Sequence, residues 1–389
     1  MTLLKKRKIL QILPVLSAGG VEQGTLDIVS ALVAEGAEAY VAASHGLRLE
    51  ELKSYGGRFV SMPLASKNLF KVTLQNVWLL AHFIRKHKID LVHARSRAPA
   101  WSAFWACRLT RTPFVTTFHG TYNFKSMIKR FYNSSMVRGD RVIAISDFIQ
   151  GHLLTHYKKW VSKDKVTRIY RGIDLQEYDK KSVAPERCSA LRLYWKVRPD
   201  EKIFLMPGRL TRWKGQETAL KALAKVSDPN LRLVIVGSDQ GRYAYRQELQ
   251  ALSQELNLGQ RVRIVEHCDD MPAAYALASC VIHASTDPEA FGRVVAEGQA
   301  MGLPCLISDL GAPQEIIKNG QTGWLVPAGN CEKLAKAMQA VLGLSDLQKE
   351  ELSQKARQRV EENFSLQKMC QKTLALYSDL LKEKDPVNE

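Results

Sequence analysis

Two carboxylates and two cations, each set beside a glycine-bearing turn, carry the clearest chemistry in this 389-residue chain. Glu289 follows an apolar run at 280–284 and the turn Asp287-Pro288. Beyond it, Gly292 and Arg293 open a helix expected over 293–301, which Gly302 and Pro304 end. Free amides and the dipole at such a helix start favour an anion such as a phosphate. Glu297, one turn further in, is a second carboxylate able to accept hydrogen bonds from hydroxyls. Alone, this stretch would also read as a surface helix with two solvated acids. The loop 208–215, GRLTRWKG, adds Arg209 and Lys214, one planar cation and one point charge. Both types suit a diphosphate, so the ligand expected here carries phosphates and sugars together.

The first half supplies further polar groups at the ends of expected strands. A strand, a glycine turn and a helix occupy residues 8–34, with Gly19-Gly20 free to let backbone approach a ligand. The glycines at 19, 20 and 24 do not match G-x-G-x-x-G, and Ser44-His45 stand where a ribose-binding acid would end the second strand, which argues against NAD. His119 follows the buried run 115–118 and is aimed at the ligand edge, as a functional or a hydrogen-bonded structural histidine. Arg95 and Arg97, near His93, are candidates to contact an anionic acceptor, with solvated arginines as the alternative. Ser146 completes this group.

The elements that must place these residues alternate along the chain. Strands are expected at 58–62, 91–94, 114–118, 141–145 and 166–170, with helices at 72–86, 98–109, 126–137 and 147–156. A second series has strands at 202–206, 231–236, 262–265, 280–284, 305–308 and 324–326. Its helices fall at 217–226, 243–256, 271–278, 293–301, 331–342 and 347–363. Such alternation predicts parallel sheets covered on both faces, with ligands off the carboxyl ends of the strands. The fold class is therefore α/β, with two Rossmann-like domains at 1–183 and 184–364 facing across a cleft. Residues 180–200 read as a helix within an interdomain linker, and 366–381 as an amphipathic tail helix.

Composition narrows the partners. Hydrophobic content of 46% and charged content of 24% fit a soluble globular protein, and no run reaches the length of a membrane span. Lys5-Lys6-Arg7-Lys8 before residues 9–16 imitates a signal peptide, but Gln11, Pro14 and the glycine turn favour a first strand and a cytoplasmic protein. The seven cysteines include no C-x-x-C, so buried thiols are expected, not a disulfide frame or zinc site. No Walker A pattern and no strand-end D-x-D occurs, so no metal or other cofactor is expected, and the cations and helix N-termini must neutralise a leaving diphosphate. The net charge of +17 is lopsided: residues 1–190 hold 30 basic and 14 acidic side chains, the remainder 26 and 25. With no nucleic-acid motif beside it, the basic first half points to an anionic membrane surface carrying the acceptor, and not to nucleic acid.

Taken in order, Gly19-Gly20, His119-Gly120, Arg171-Gly172-Ile173-Asp174, Gly208-Arg209-Leu210 with Lys214-Gly215, and EAFGRVVAEGQAMGLP at 289–304 resemble the retaining nucleotide-sugar glycosyltransferases of family 4. The resemblance covers essentially the whole chain and implies the GT-B fold, its last helix (365–389) crossing back to the first, acceptor-side domain. It implies that Arg209 and Lys214 grip the donor diphosphate, helped by amides near Gly19-Gly20 and at Phe291, Gly292 and Arg293. Glu289 would touch the transferred sugar, Glu297 the ribose, and His119 would lie beside the reacting centre. The implied reaction moves a sugar from a nucleotide-diphosphate sugar to a lipid-linked or saccharide acceptor with retention. The segment 92–97 and the basic first half look like transferases of envelope polysaccharide or lipopolysaccharide, working on the inner face of the cytoplasmic membrane. Departures at Ser279-Cys280, Glu266-His267, Gly311-Ala312 and Arg171 bear on the contacts to the donor base. An epimerase or hydrolase on the same fold, or a non-catalytic sugar-nucleotide scaffold, are the competing readings.

Overall fold

Short apolar runs and longer amphipathic ones fold as parallel strands and covering helices in both halves of the chain. The computed structural model describes residues 3–384 apart from 18, 67, 69–73, 123–125 and 242. The chain divides into two units, Met1–Gly172 with Leu366–Glu389, and Ile173–Ser365.

In the first unit, the strands are β1 (Lys8–Ile12), β2 (Glu38–Ala43), β3 (Arg58–Ser61), β4 (Leu91–Ala94), β5 (Phe114–Phe118), β6 (Arg141–Ala144) and β7 (Val166–Arg168). They pair in the order β3-β2-β1-β4-β5-β6-β7, every neighbour parallel. All residues of β4 and β5 are buried, as a sheet covered on both faces requires. The helices are α1 (Gly20–Ala34), α2 (Leu49–Ser54), α3 (Asn76–His87), α4 (Arg97–Thr110), α5 (Met127–Asn133) and α6 (Asp147–His156). The tail helix belongs to this unit too. Its Leu374, Leu376, Tyr377, Leu380 and Leu381 share one core with Leu26, Val29 and Leu32 of α1.

In the second unit, the helix Pro185–Trp195 (α7) precedes β8 (Lys202–Pro207), α8 (Gln216–Leu223), β9 (Leu231–Val236), α9 (Tyr243–Glu255), β10 (Val262–Val265), α10 (Met271–Leu277) and β11 (Ala278–His283). Then come α11 (Arg293–Ala300), β12 (Cys305–Ser308), α12 (Pro313–Ile316), β13 (Gly323–Val326), α13 (Cys331–Leu342) and α14 (Asp346–Asn363). The tail helix is α15 (Leu366–Lys384). The parallel order is β10-β9-β8-β11-β12-β13. Strand order therefore reverses between β1 and β4 in one sheet and between β8 and β11 in the other, the places where doubly wound sheets leave a crevice for ligand.

Several expectations shift. Residues 173–183, grouped with the first domain from sequence, belong to the second unit: Arg357 donates to the carbonyls of Leu175 and Tyr178, and Tyr178 packs edge-on against Tyr275. The stretch expected as a linker is integral to that unit as well. Arg187 of α7 forks onto Asp270 at 2.6 and 2.7 Å, and Trp195 is buried. The single helix expected at 126–137 stops at Asn133 and tightens into a 3-10 turn, Ser134–Val137. There Ser134 Oγ donates to the Phe131 carbonyl and Ser135 Oγ to that of Arg97, offering the backbone alternatives to a regular helix. The start expected at 72 lies outside the described residues, and the helix is present from Asn76. All seven cysteines are free, Cys280 and Cys305 buried.

Candidate functional site

Both loops that carry the second unit's chemistry leave the sheet at its switch point. The strand β8 feeds residues 208–215, and β11 feeds residues 284–292. They lie against each other because Gly215 carries no side chain. Its φ is 74°, and a Cβ there would sit 1.9 Å from the Ala284 carbonyl oxygen. Thr286 N–H donates to the Trp213 carbonyl at 2.7 Å and fastens the second loop to the first. Close packing of these loops brings Lys214 to Glu289, 75 residues apart in sequence.

Glu289 is the hub. Its Oε1 accepts from Lys214 Nζ, His283 Nε2 and Ser285 Oγ, each at 2.6 Å. Oε2 takes no hydrogen bond from any described residue, so only one of the two oxygens is anchored. Burial pushes this carboxyl upward. The charge and hydrogen bond of His283, with those of Lys214, outweigh that and hold it well below the usual carboxylate range. Its backbone is fixed as well: Glu289 bridges Gly311, and Ala312 N–H donates to its carbonyl at 2.9 Å. At Gly311, φ is 69° and a Cβ would lie 2.6 Å from Glu289 N and O.

The remaining predicted residues of this unit fall into two groups. Arg209 is exposed, and its guanidinium makes no ion pair or hydrogen bond with a described residue, while its carbonyl accepts from Gln216. Gly292 caps α11, whose first turn begins at Arg293, and the Phe291 ring is buried against Phe364. By contrast, Glu297 is buried at 6% exposure with both oxygens engaged, Tyr275 Oη donating to Oε2 and Arg293 Nε to Oε1, each at 2.8 Å. A ribose hydroxyl would therefore use a remaining lone pair or take the place of Arg293.

The first unit gathers its own set around the β1–β4 switch point. Arg171 Nη2 donates to the Gly20 carbonyl at 2.7 Å and reaches His119 Nδ1 at 3.4 Å. Gly19 lies just outside α1. Burial, then the charges of Arg171 and Arg95, push the His119 imidazole well below its ordinary pKa, so it is neutral near pH 7. With Nδ1 facing Arg171, the proton belongs on Nε2, which is shielded and has no partner among the described residues. His119 is thus a donor in waiting.

The three acceptor-side candidates are each engaged within the first unit. Arg95 is 6% exposed and donates to Gln11, itself fully buried. Arg97 donates to Asn133 and stacks 4.3 Å over the Tyr122 ring. Ser146 is fully buried and caps α6 by accepting from Ile149 N–H. Two residues were overlooked in sequence, His283 and Ser285. The polar side chains closing an otherwise apolar strand, C-V-I-H-A-S, were the available signal.

Comparison with known proteins bears on the family and the fold. The family model for Glycosyltransferase Family 4 matches residues 18–177, and that for Glycosyl transferases group 1 matches 194–359. A glycosyltransferase crystal structure from Rickettsia africae superimposes with a TM-score of 0.89 at 36% identity, covering 97% of this chain and 99% of its own. A phosphatidyl-myo-inositol mannosyltransferase of Mycobacterium leprae is 28% identical over 343 residues, 83% of this chain and 84% of that protein. The Anabaena protein HepE in complex with UDP-glucose shares the fold, with a TM-score of 0.80 at 24% identity over 96% of this chain and 99% of its own. The chain belongs to the family 4 glycosyltransferases and has their GT-B fold.

Proposed function

We propose that the protein is a retaining transferase that moves a sugar from a nucleoside-diphosphate sugar to a lipid-linked or saccharide acceptor of the cell envelope. The observation that carries this reading is Glu289, anchored through one oxygen and with no described hydrogen bond to the other, beside Lys214 and an exposed Arg209 that pairs with no described residue. Arg209, Lys214 and the first turn of α11 meet the donor diphosphate, and the Gly19-Gly20 backbone assists. Glu289 Oε2 accepts from hydroxyls of the transferred sugar, Glu297 faces the ribose, and the Nε2–H of His119 donates near the reacting centre. The bond from the anomeric carbon to the diphosphate breaks, and the acceptor oxygen bonds on the same face. The acceptor's proton passes to the departing phosphate oxygen. The cations stabilise that leaving charge, so no metal is needed. The nucleoside-diphosphate donor accords with the UDP-glucose complex of the Anabaena neighbour, and a lipid acceptor with the name of the Mycobacterium relative.

Work at the cytoplasmic face of an anionic membrane fits the concentration of positive charge in the first half and the exposed Trp78, Trp105, Met127 and Phe131 of the first unit. No helix among the described residues is long and apolar enough to cross a membrane. A thermal-shift panel of UDP-, GDP- and ADP-sugars, followed by acceptor-dependent release of nucleoside diphosphate in EDTA, tests the reading. The expectation is stabilisation by one donor class and release that Glu289→Gln abolishes. Release independent of acceptor, loss of activity in EDTA, or full activity of Glu289→Gln would overturn it.

A further inference from the structure

A concavity of the first unit that the proposed reaction leaves unused lies at the opposite end of its strands. A cavity of about 540 Å³ opens where the chain enters the central strands, beside Asp90 before β4, Pro113 before β5 and Asp140 before β6. His119 stands at the other end of β5, roughly 15 Å away along the strand. This cavity is therefore separate from the groups assigned to transfer.

Its lining combines cations with apolar surface. Arg108, Arg111 and Arg138 face it, along with Lys384. None of the three arginines has a carboxylate partner among the described residues: Arg108 stacks on Phe104, and Arg138 stacks on Trp101 and donates to Ser134. The two acids in the wall are already engaged. Asp90 accepts from Arg7 Nη1 and Lys8 N–H, while Asp140 accepts from Phe114 N–H and lies 3.8 Å from Lys384. Unneutralised guanidinium groups in a concave site focus positive potential, and their forked donors suit phosphate oxygens. Phe104, Phe114 and Leu381 supply an apolar wall. On the same helix as Arg108, Trp105 and Leu109 are 49% and 56% exposed, and Arg85 of α3 ties the two helices by donating to the Leu109 carbonyl. Phosphate-seeking charge thus lies beside an apolar rim, the arrangement of an anionic lipid with its headgroup next to acyl chains.

We infer that this cavity holds the phosphate of an anionic membrane lipid, fixing the first unit to the bilayer through a headgroup site distinct from the catalytic groups. The inference rests on the membrane association proposed above and assigns it a location. The test is co-sedimentation of the full chain with phosphatidylcholine vesicles, with and without phosphatidylglycerol. Wild type, Arg108→Gln with Arg111→Gln, and a control losing equal charge from the second unit, Lys333→Gln with Lys336→Gln, are compared. Thermal unfolding establishes that each is folded. The expected result is salt-sensitive binding to the anionic vesicles only, weakened on the order of 10- to 30-fold in the arginine variant and little changed in the lysine control. If wild type binds and the arginine variant binds equally well, the headgroup site is wrong and the membrane reading stands. If wild type fails to bind anionic vesicles, both fall. Stabilisation of wild type but not of the arginine variant by glycerol 3-phosphate, without vesicle binding, would assign the cavity to a soluble phosphate ester instead.

Discussion

Replacing Lys214 with alanine separates a brace from a ligand-binding cation, because the two roles predict losses of different size. In the folded chain Lys214 Nζ lies 2.6 Å from Glu289 Oε1, the side chains 13% and 16% exposed. Exposed pairs contribute about 0–1 kcal/mol, and breaking a fully buried one costs about 3–5 kcal/mol. Glu289 keeps His283 and Ser285 after the substitution, so the cost to the fold is about 1–2 kcal/mol, a fall in Tm of about 2–8 °C for a unit of this size. Loss of a cation from a departing diphosphate costs more, a factor of about 10²–10³ in kcat/KM. The linked pH effect has a fixed sign. The folded-state pKa of Glu289 is depressed, so its stabilisation is present above the unfolded value of about 4.3 and is lost as the pH falls from there through the folded value. Without Lys214 the folded value rises, and the stability gap between wild type and variant narrows in acid. Initial rates over a range of donor concentrations, with calorimetry from pH 7 down through the acid range, measure all three quantities. Turnover within threefold of wild type alongside the fall in Tm would show that Lys214 only braces Glu289.

Two further substitutions probe how the site is held. His283→Leu removes one of the three donors on Oε1 and lets the carboxylate turn. We expect kcat to fall about tenfold with donor KM nearly unchanged, the acid limb of the rate profile to move to higher pH, and partial recovery in His283→Gln, all read from steady-state kinetics against pH. Gly215→Ala drives a Cβ into the Ala284 carbonyl at a left-handed φ and should cost about 3 kcal/mol or more. Gly320→Ala, at a φ of 75° with nothing within 4 Å, should cost about 1 kcal/mol, and equal losses of Tm in calorimetry would refute the steric argument.

Much of this architecture is legible in the chain because strand and helix periods differ and because glycines mark where strands hand over to helices. Residues 147–156 and 331–342 fold over the ranges their patterns predict. The loop 208–215 was recognisable from its paired glycines and cations, and Glu289 from its place before a helix. What no local pattern shows is which polar group turns inward. Ser146 and Arg95 look like ligand groups at strand ends, yet one caps a helix and the other serves Gln11 in the core. His283 looks like a polar interruption of a strand, yet it grips Glu289 six residues on, across a loop fastened by Thr286 N–H to the Trp213 carbonyl. Glu297 shows the same limit, since Tyr275 and Arg293 reach it from another helix and from the turn before.

The placement of α15 also has a consequence for the order in which the protein can fold. Tyr377 fills the first unit's core and meets His93 Nδ1 at 2.5 Å across 284 positions of chain. A ribosome making this protein therefore releases a first unit that lacks one of its core helices, and the whole of the second is made before that helix arrives. The second unit draws on one continuous stretch and can form as soon as that stretch emerges. Until then the apolar face of α1 stays open and His93 lacks the Tyr377 hydroxyl, so the nascent first unit is the species most exposed to aggregation or chaperone capture.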